Sequence, residues 1–176
     1  DERRHAMQLE QLLEKLPENY SAIDIEHIEK AYHFAEKAHQ GQTLASGLPY
    51  ITHCASVAAI LAELTVPPEL IIAGLLHDIG KLVMYHRMPE QAVRSFMMVL
   101  DGEVAESYQA EHKIFGFDHA ALGGALLRKW DLPAHLVESV ACHHEPERAE
   151  NYPVEAAIVH VSNRLADMAQ LDTSNP

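Results

Sequence analysis

Apolar residues recur every three or four positions along most of the chain, which is the spacing that places side chains on one face of an α-helix. One such stretch runs from Asp24 to Gln40, with Asp24 as a capping residue and Gly41 as the stop. A loop rich in Gly, Ser and Pro follows at 41–49, and the next helix is predicted from about Tyr50 to Leu64. Both segments are typical of amphipathic helices packed against a core.

A third predicted helix begins at Pro67-Pro68, because proline is tolerated in a first helical turn, and it ends at the pair His77-Asp78. Proline, glycine and aspartate also mark the boundaries of the later helices. These are predicted at 88–112 with a break at Gly102, at 118–130, from Pro133 to about His144, and at 154–170, and an amphipathic helix at 1–16 precedes Pro17. The pattern predicts an all-α fold, a single compact helical bundle over 21–172 with an N-terminal helix or cap at 1–20.

The composition agrees with this prediction. Of the 176 residues 48% are hydrophobic, which is enough for one domain with a core. Only 6% are aromatic, which suits packed helices better than β-sandwiches or barrels.

The charge balance limits the possible partners. Thirteen Lys and Arg face 26 Asp and Glu, for a formal net charge of −13, so the chain has no diffuse attraction for a nucleic-acid duplex or an anionic membrane. The two cysteines are expected to be reduced core residues, and no apolar run has the length of a membrane span. A cytoplasmic location is therefore expected.

The pair His77-Asp78 follows directly on the apolar run at 70–76. An imidazole beside a carboxylate at the end of a buried helix is costly unless something offsets the loss of hydration, and a divalent metal bound by both side chains would do so. We therefore interpret the pair first as metal ligands.

Further candidate ligands lie far apart in the sequence, so only tertiary packing can bring them together. The six candidates are His53, His77, Asp78, His119, His143 and His144, and Asn163 in the last helix is a further one. Any single histidine on an apolar face is as readily explained as an ordinary core residue, but six aligned candidates favour a metal site. Imidazole and carboxylate ligands favour Fe, Mn or Zn, with two ions if Asp78 bridges them.

Lys81 lies three residues after Asp78, about one helical turn on, and can point toward the same site. Its functional interpretation is a cation that orients a phosphate or donates a proton to a leaving oxygen, and the alternative is a solvated lysine at a helix end. Asp78 and Lys81 are the candidate catalytic residues.

The sequence His77-Asp78-Ile79-Gly80-Lys81, with His53 upstream and further histidines downstream, resembles the HD-domain superfamily of metal-dependent phosphohydrolases. The stretch 35–78 looks like the N-terminal half of the stringent-response (p)ppGpp hydrolases, although those enzymes have an acidic pair where this chain has Gly80-Lys81. The stretch 115–166 is similar to HDOD domains, the HD-related output modules of bacterial signalling proteins.

Features of a third subfamily, the HD-GYP cyclic-di-GMP phosphodiesterases, appear in His143-His144-Glu145 and at 151–153, with Asn151 in place of glycine. That resemblance implies one metal bound by His53, His77 and Asp78, and a second bound by Asp78, His119, His143 and His144. It also places Asn163 where the superfamily has its final ligand aspartate. Asp167, one turn later, is a possible substitute.

Two functions follow from these observations as hypotheses. The first is a metal-dependent phosphohydrolase acting on a small phosphorylated substrate, such as a nucleotide. The second is a catalytically degenerate signalling module of the HDOD type, which retains a structural metal site and acts through a homodimer or a signalling partner. A helical domain with unrelated core histidines is the third interpretation, and it would require each buried imidazole to find a separate partner.

Overall fold

A computed structural model describes residues 7–173, and over this range the backbone forms α-helices and no β-strand, with one isolated bridge between Thr43 and Pro49. The helices are α1 (Leu9–Leu13), α2 (Ala22–Ala38), α3 (Ile51–Glu63), α4 (Pro68–Leu76), α5 (Ile79–Arg87), α6 (Pro89–Leu100), α7 (Ser107–Phe115), α8 (His119–Lys129), α9 (Ala134–Ala141) and α10 (Pro153–Thr173), with a 3₁₀ turn at Pro146–Arg148. The predicted all-α fold is confirmed.

Helix α2 begins two residues before its predicted capping residue. Ser21 is the N-cap, and its hydroxyl accepts a hydrogen bond from the backbone N–H of Asp24. The Asp24 carboxylate in turn accepts one from the backbone N–H of Ser21 at 2.9 Å. This reciprocal arrangement satisfies donors at both positions, so Asp24 is the third residue of the helix rather than its cap.

Two other boundaries differ from the prediction, whereas a third agrees with it. Helix α9 ends at Ala141 rather than near His144, so the two adjacent histidines lie in the turn that follows it. The break predicted at Gly102 within 88–112 is confirmed, because α6 and α7 are separated there and the φ of 73° at this residue favours glycine. The predicted helix at 1–16 is helical only at 9–13, and residues 1–6 lie outside the described part of the chain.

Helices α3 and α4 form the centre of the molecule. α4 is buried on nearly all sides, with Leu70, Ile71 and Leu75 in the core, and it contacts α2, α3, α9 and α10. Helix α1 joins the core through Leu12 and packs on α2 and α3, while the division of the chain at residue 20 stays a prediction. Between residues 7 and 173 no helix is long and apolar enough to cross a membrane.

The contact between α5 and α8 depends on glycine. A Cβ atom added at Gly80 would lie 2.0 Å from the backbone oxygen of His119 and 2.9 Å from the backbone nitrogen of Gly123. Backbone atoms cannot move aside as the end of a side chain can. Gly80 therefore allows the two helices to approach closely beside the His77-Asp78 junction.

We predict that Gly80→Ala lowers the free energy of unfolding by about 3 kcal/mol, because α5 and α8 must separate, although alanine is otherwise the better helix former. Chemical denaturation measures the change. Gly123→Ala is the matched control: the nearest atom to its Cβ would be a side-chain methyl of Val140 at 3.2 Å, and the nearest backbone atom, the nitrogen of Gly80, would lie at an ordinary contact distance of 3.5 Å. We expect a loss below about 1 kcal/mol. Equal losses in the two variants would contradict the close approach at Gly80.

Candidate metal centre

The structure brings six of the predicted side chains together at one place in the core. His53 comes from the first turn of α3, and His77 and Asp78 form the junction between α4 and α5. His119 is the first residue of α8, while His143 and His144 follow α9. Helix ends and helix junctions thus supply nearly all of the cluster, because they meet where the central helices pack.

His53, His77 and Asp78 form the first group. Their side chains are at most 4% exposed. The Nε2 atoms of His53 and His77 are 3.3 Å apart, and Oδ2 of Asp78 lies 3.3 Å from the His77 nitrogen and 3.9 Å from the His53 nitrogen. One ligand atom from each residue thus faces a common point.

His119, His143 and His144 form the second group, in which the Nε2 atoms of His119 and His144 are 2.8 Å apart. Asp78 belongs to both groups, because its second oxygen, Oδ1, lies 2.9 Å from Nε2 of His119. The carboxylate therefore presents one oxygen to each set of imidazoles.

Hydrogen bonds on the far sides of three rings fix which nitrogen carries the proton. Nδ1 of His77 lies 2.7 Å from the Gly74 carbonyl oxygen, and Nδ1 of His143 lies 2.8 Å from that of Val140. Nδ1 of His119 lies 2.6 Å from the Glu111 carboxylate. These partners only accept, so each Nδ1 donates and, in the neutral ring, each Nε2 turns a lone pair toward the cluster.

Lone pairs and a carboxylate that face each other at these distances repel unless something positive lies between them. Nε2 of His143 illustrates the problem, since it is buried without a hydrogen-bond partner. A divalent cation removes the repulsion, and rings held by carbonyl or carboxylate acceptors are the usual arrangement around one. Both groups are therefore chemically suited to hold a metal ion.

The electrostatics favour the ligand forms of His53, His143 and Asp78, whereas the pKa of His119 is raised, against the opposing effect of burial, by Glu111 and Asp78. Burial, and then the nearby His77, lower the pKa of His53 to about 3. Burial also lowers the pKa of His143 far below its ordinary value. Burial tends to raise the pKa of Asp78, but His77, Lys81 and His119 together hold it well below its usual range. Neutral imidazoles around an ionised carboxylate are what a divalent cation binds.

Lys81 points into the site, as its spacing from Asp78 predicts. Its ammonium group, on a side chain only 12% exposed, lies 3.0 Å from Oδ1 of Asp78. It also donates a hydrogen bond to the hydroxyl of Tyr50 at 2.8 Å, and that hydroxyl donates to Oδ2 of Asp78 at 2.5 Å. The three side chains form a closed ring of polar contacts that engages both oxygens of the carboxylate.

Sequence reasoning missed Tyr50, His39 and Glu111. Tyr50 precedes His53 by three residues, a spacing that places them on one helical face and could have indicated its position. His39 stacks on the Tyr50 ring with centroids 4.8 Å apart, although the sequence gives it no motif context. Glu111, 3% exposed, accepts hydrogen bonds from both the backbone and the ring of His119, and no sequence signal connects the two residues.

Asn163 and Asp167 approach the first group from α10. Asn163 is 5% exposed, it lies close to His53, and its Oδ1 atom has no hydrogen-bond partner. Oδ1 of Asp167 lies 3.6 Å from Nδ1 of His53, on the opposite side of the ring from the Nε2 atom that faces His77. Asp167 thus lies behind the His53 ring, where Gln170 also contacts Nδ1 at 3.3 Å, and does not take the position of Asn163.

Comparison with known proteins identifies the family of this chain. A family model for the HDOD domain matches residues 35–146. Two solved structures share the fold: a phosphohydrolase described as putative from Shewanella amazonensis (TM-score 0.60, 20% identity, 92% of this chain and 76% of that one), and an HDOD domain protein of unknown function from Geobacter sulfurreducens (TM-score 0.59, 19% identity, 93% and 72%).

Curated relatives match a shorter stretch. A GTP pyrophosphokinase from Streptomyces antibioticus is 49% identical over 73 residues, which are 40% of this chain and 9% of that protein. The bifunctional (p)ppGpp synthase/hydrolase SpoT from Escherichia coli is 46% identical over 74 residues, 42% of this chain and 10% of that protein. The match therefore spans about a tenth of the length of these relatives.

The HDOD model covers well over half of the chain, and the solved structures share its all-α architecture over nearly its whole length. This protein belongs to the HDOD domain family and has the fold of the HD-type phosphohydrolases.

Proposed function

We propose that this protein is a metal-dependent phosphohydrolase that cleaves a small phosphoester, such as a nucleotide, at the centre formed by the two histidine groups. The observation that carries the proposal is the position of Asp78, whose two oxygens face the two groups separately. A carboxylate held in this way suits the bridge of a two-ion site. The donor set, imidazole with carboxylate, suits one or two Fe, Mn or Zn ions.

A bound divalent cation would supply Lewis acidity and a water of lowered pKa at this position. The chain's own residues supply the rest of the chemistry. His53, His77 and Asp78 would hold one ion, and His119, His143 and His144, with the second oxygen of Asp78, the other. Glu111 and the carbonyl oxygens of Gly74 and Val140 keep three of the rings in the tautomer that binds a cation.

Lys81 and Tyr50 complete the proposed machinery. The Lys81 ammonium lies within 3.0 Å of Asp78, so it is placed to contact a phosphoryl oxygen next to the ligands or to donate a proton to the leaving oxygen. Tyr50 keeps this ammonium at its place and donates to the oxygen of Asp78 that faces His53 and His77. We assign Lys81 a catalytic role and Tyr50 a positioning role.

The nucleotide as substrate class draws support from the relatives. A guanosine-3′,5′-bis(diphosphate) 3′-pyrophosphohydrolase from Escherichia coli O157:H7 is 46% identical over 42% of this chain. The acidic pair that such enzymes have after the His-Asp pair is Gly80-Lys81 here. A lysine in place of a carboxylate changes the charge beside the reacting group, so we propose phosphoester hydrolysis without assigning (p)ppGpp as the substrate.

Asn163 favours a second candidate function, a regulatory module that keeps the metal site for stability. The superfamily resemblance places a ligand aspartate at this position, and an amide oxygen binds a divalent cation less strongly than a carboxylate does. In this alternative the site binds an ion without turnover, and the protein acts through contacts with a signalling partner or a second copy.

Asp78→Asn tests the proposal directly. It removes the only charge shared by the two groups, so we expect the metal content of purified protein, measured by elemental analysis, to fall to background. Hydrolysis across a panel of phosphomonoesters, phosphodiesters and nucleotides should fall at least about 100-fold. Asp101→Asn, an exposed aspartate at the end of α6, is the control and should change neither quantity. A wild-type protein with neither metal nor turnover would overturn the proposal.

Tyr50→Phe tests the positioning role. Loss of the hydroxyl frees Lys81 and one oxygen of Asp78, and we expect about 10-fold to 100-fold weaker Mn²⁺ binding by calorimetric titration. Turnover should fall through kcat more than through KM. Tyr20→Phe is the control, because the Tyr20 hydroxyl donates to the Val66 carbonyl oxygen away from the site. The Mn²⁺ affinity of this variant should equal that of the wild type. Equal affinities in wild type and Tyr50→Phe would rule out the role.

Asn163→Asp separates the two candidate functions. A carboxylate next to His53 should strengthen Mn²⁺ binding, because it adds charge to a buried cation site. The hydrolase proposal expects turnover in the wild type, with the variant equal or faster, whereas the regulatory alternative expects turnover only in the variant. Asn151→Asp, at an exposed position, serves as the control. Unchanged Mn²⁺ affinity in Asn163→Asp would show that this side chain is not part of the site.

A further inference from the structure

Helix α10 has two opposite apolar faces. One face packs into the molecule, with Ala156, Val159 and Ala166 buried in the core. The other face carries four exposed apolar residues, Val154, Val161, Leu165 and Met168, together with Ile158, which is partly buried against the core. We call these five residues the α10 seam. A helix that is apolar on both sides is typical of one packed on both sides.

The spacing along the α10 seam is regular. Its residues follow one another at steps of four, three, four and three, which is the heptad pattern of helices that pair along their length. Val154 is 65% exposed, Val161 51%, Leu165 46% and Met168 63%. The seam extends for roughly 21 Å along the helix.

We propose that the α10 seam is the interface of a homodimer, in which α10 pairs with α10 of a second copy in antiparallel orientation. The occupant is a second copy because the seam is complementary to itself. With a two-fold axis at Val161, this residue meets its own copy, Val154 meets Met168, and Ile158 meets Leu165. Every pair across the interface therefore joins two apolar side chains, one from each copy.

The distribution of charge also favours a second copy at this surface. A chain with a formal net charge of −13 repels its own copies over most of its surface. Positions 156–166 contain no carboxylate and one arginine. In the antiparallel pairing, Arg164 lies opposite Ala157 and Glu155 opposite Ala169, so no like charges confront each other across the seam.

The surface that two copies would bury at the α10 seam is small for a protein interface. Four side chains exposed by about half present on the order of 400 Å² of apolar surface per copy, which is near the largest patch that monomeric proteins usually expose. Two copies thus bury about 800 Å² from the seam alone, and the flanking Ala157, Arg164 and Ala169 add to it, which is the size of a weak, reversible interface. Association should therefore depend on concentration over the micromolar range.

Sedimentation equilibrium of the wild-type chain from about 1 to about 100 μM tests the dimer, because interfaces of this size associate in that range. We expect the mass to rise from the monomer value toward twice that value. Val161→Arg places two arginines against each other on the two-fold axis and should leave a monomer at all concentrations. Ile23→Arg is the matched control, an isolated residue on α2 that is 63% exposed, and it should dimerise like the wild type.

Far-UV circular dichroism and the melting temperature verify that the variants fold. If Val161→Arg does not fold, Leu165→Lys provides a second variant of the seam. A wild-type chain that stays monomeric at every concentration overturns the proposal. A dimer that persists in both seam variants would also overturn it. The same holds if Phe96→Arg on α6 dissociates the dimer while Val161→Arg leaves it intact.

Cysteine cross-linking tests the orientation, in a Cys142→Ser background that leaves only the buried Cys54. Val161→Cys should form a disulfide with its own copy under mild oxidation. Val154→Cys should not link with itself, but it should link with Met168→Cys when the two variants are mixed. Self-linking of Val154→Cys would show a parallel arrangement and overturn the antiparallel dimer. These outcomes do not depend on metal or turnover, so they stand apart from the proposed function.

Discussion

The structure depends on one electrostatic constraint: imidazole lone pairs and the Asp78 carboxylate face each other in the core. Leaving a carboxylate of this kind without a compensating partner costs several kcal/mol. The protein compensates partly with Lys81 and Tyr50, which engage both oxygens of Asp78. Nε2 of His143, in contrast, is buried without a hydrogen-bond partner. A divalent cation bound by these side chains would remove the remaining cost.

The backbone is built to hold this arrangement. Nδ1 of His77 and of His143 donates to a carbonyl oxygen three residues earlier in the chain, so local helix geometry sets both rings. His119 is set by a tertiary contact instead, because Glu111 comes from α7. The close approach at Gly80 brings α8 to the His77-Asp78 junction, and without it His119 could not lie 2.9 Å from Asp78.

Helix α10 connects the site with the surface. Asn163 and Asp167 on this helix contact His53, and Val161 lies on its exposed side. Pairing of two copies through the α10 seam would hold the helix from both faces, with the core on one side and its own copy on the other. The position of Asn163 relative to His53 would then be fixed by the dimer as well as by the core.

The sequence alone determined the all-α fold, most helix positions, and the residues of the cluster. These predictions rest on local properties: apolar spacing sets a helix, proline and glycine bound it, and His77-Asp78 after an apolar run is conspicuous. Even so, the start of α2 and the end of α9 were misplaced, because capping at Ser21 and the turn after Ala141 depend on hydrogen bonds that periodicity does not encode. Only the tertiary structure decided that Asp78 divides its oxygens between two groups, that Glu111 and Tyr50 belong to the site, and that Asp167 lies behind His53. These are distances between residues remote in sequence, and helix packing sets them.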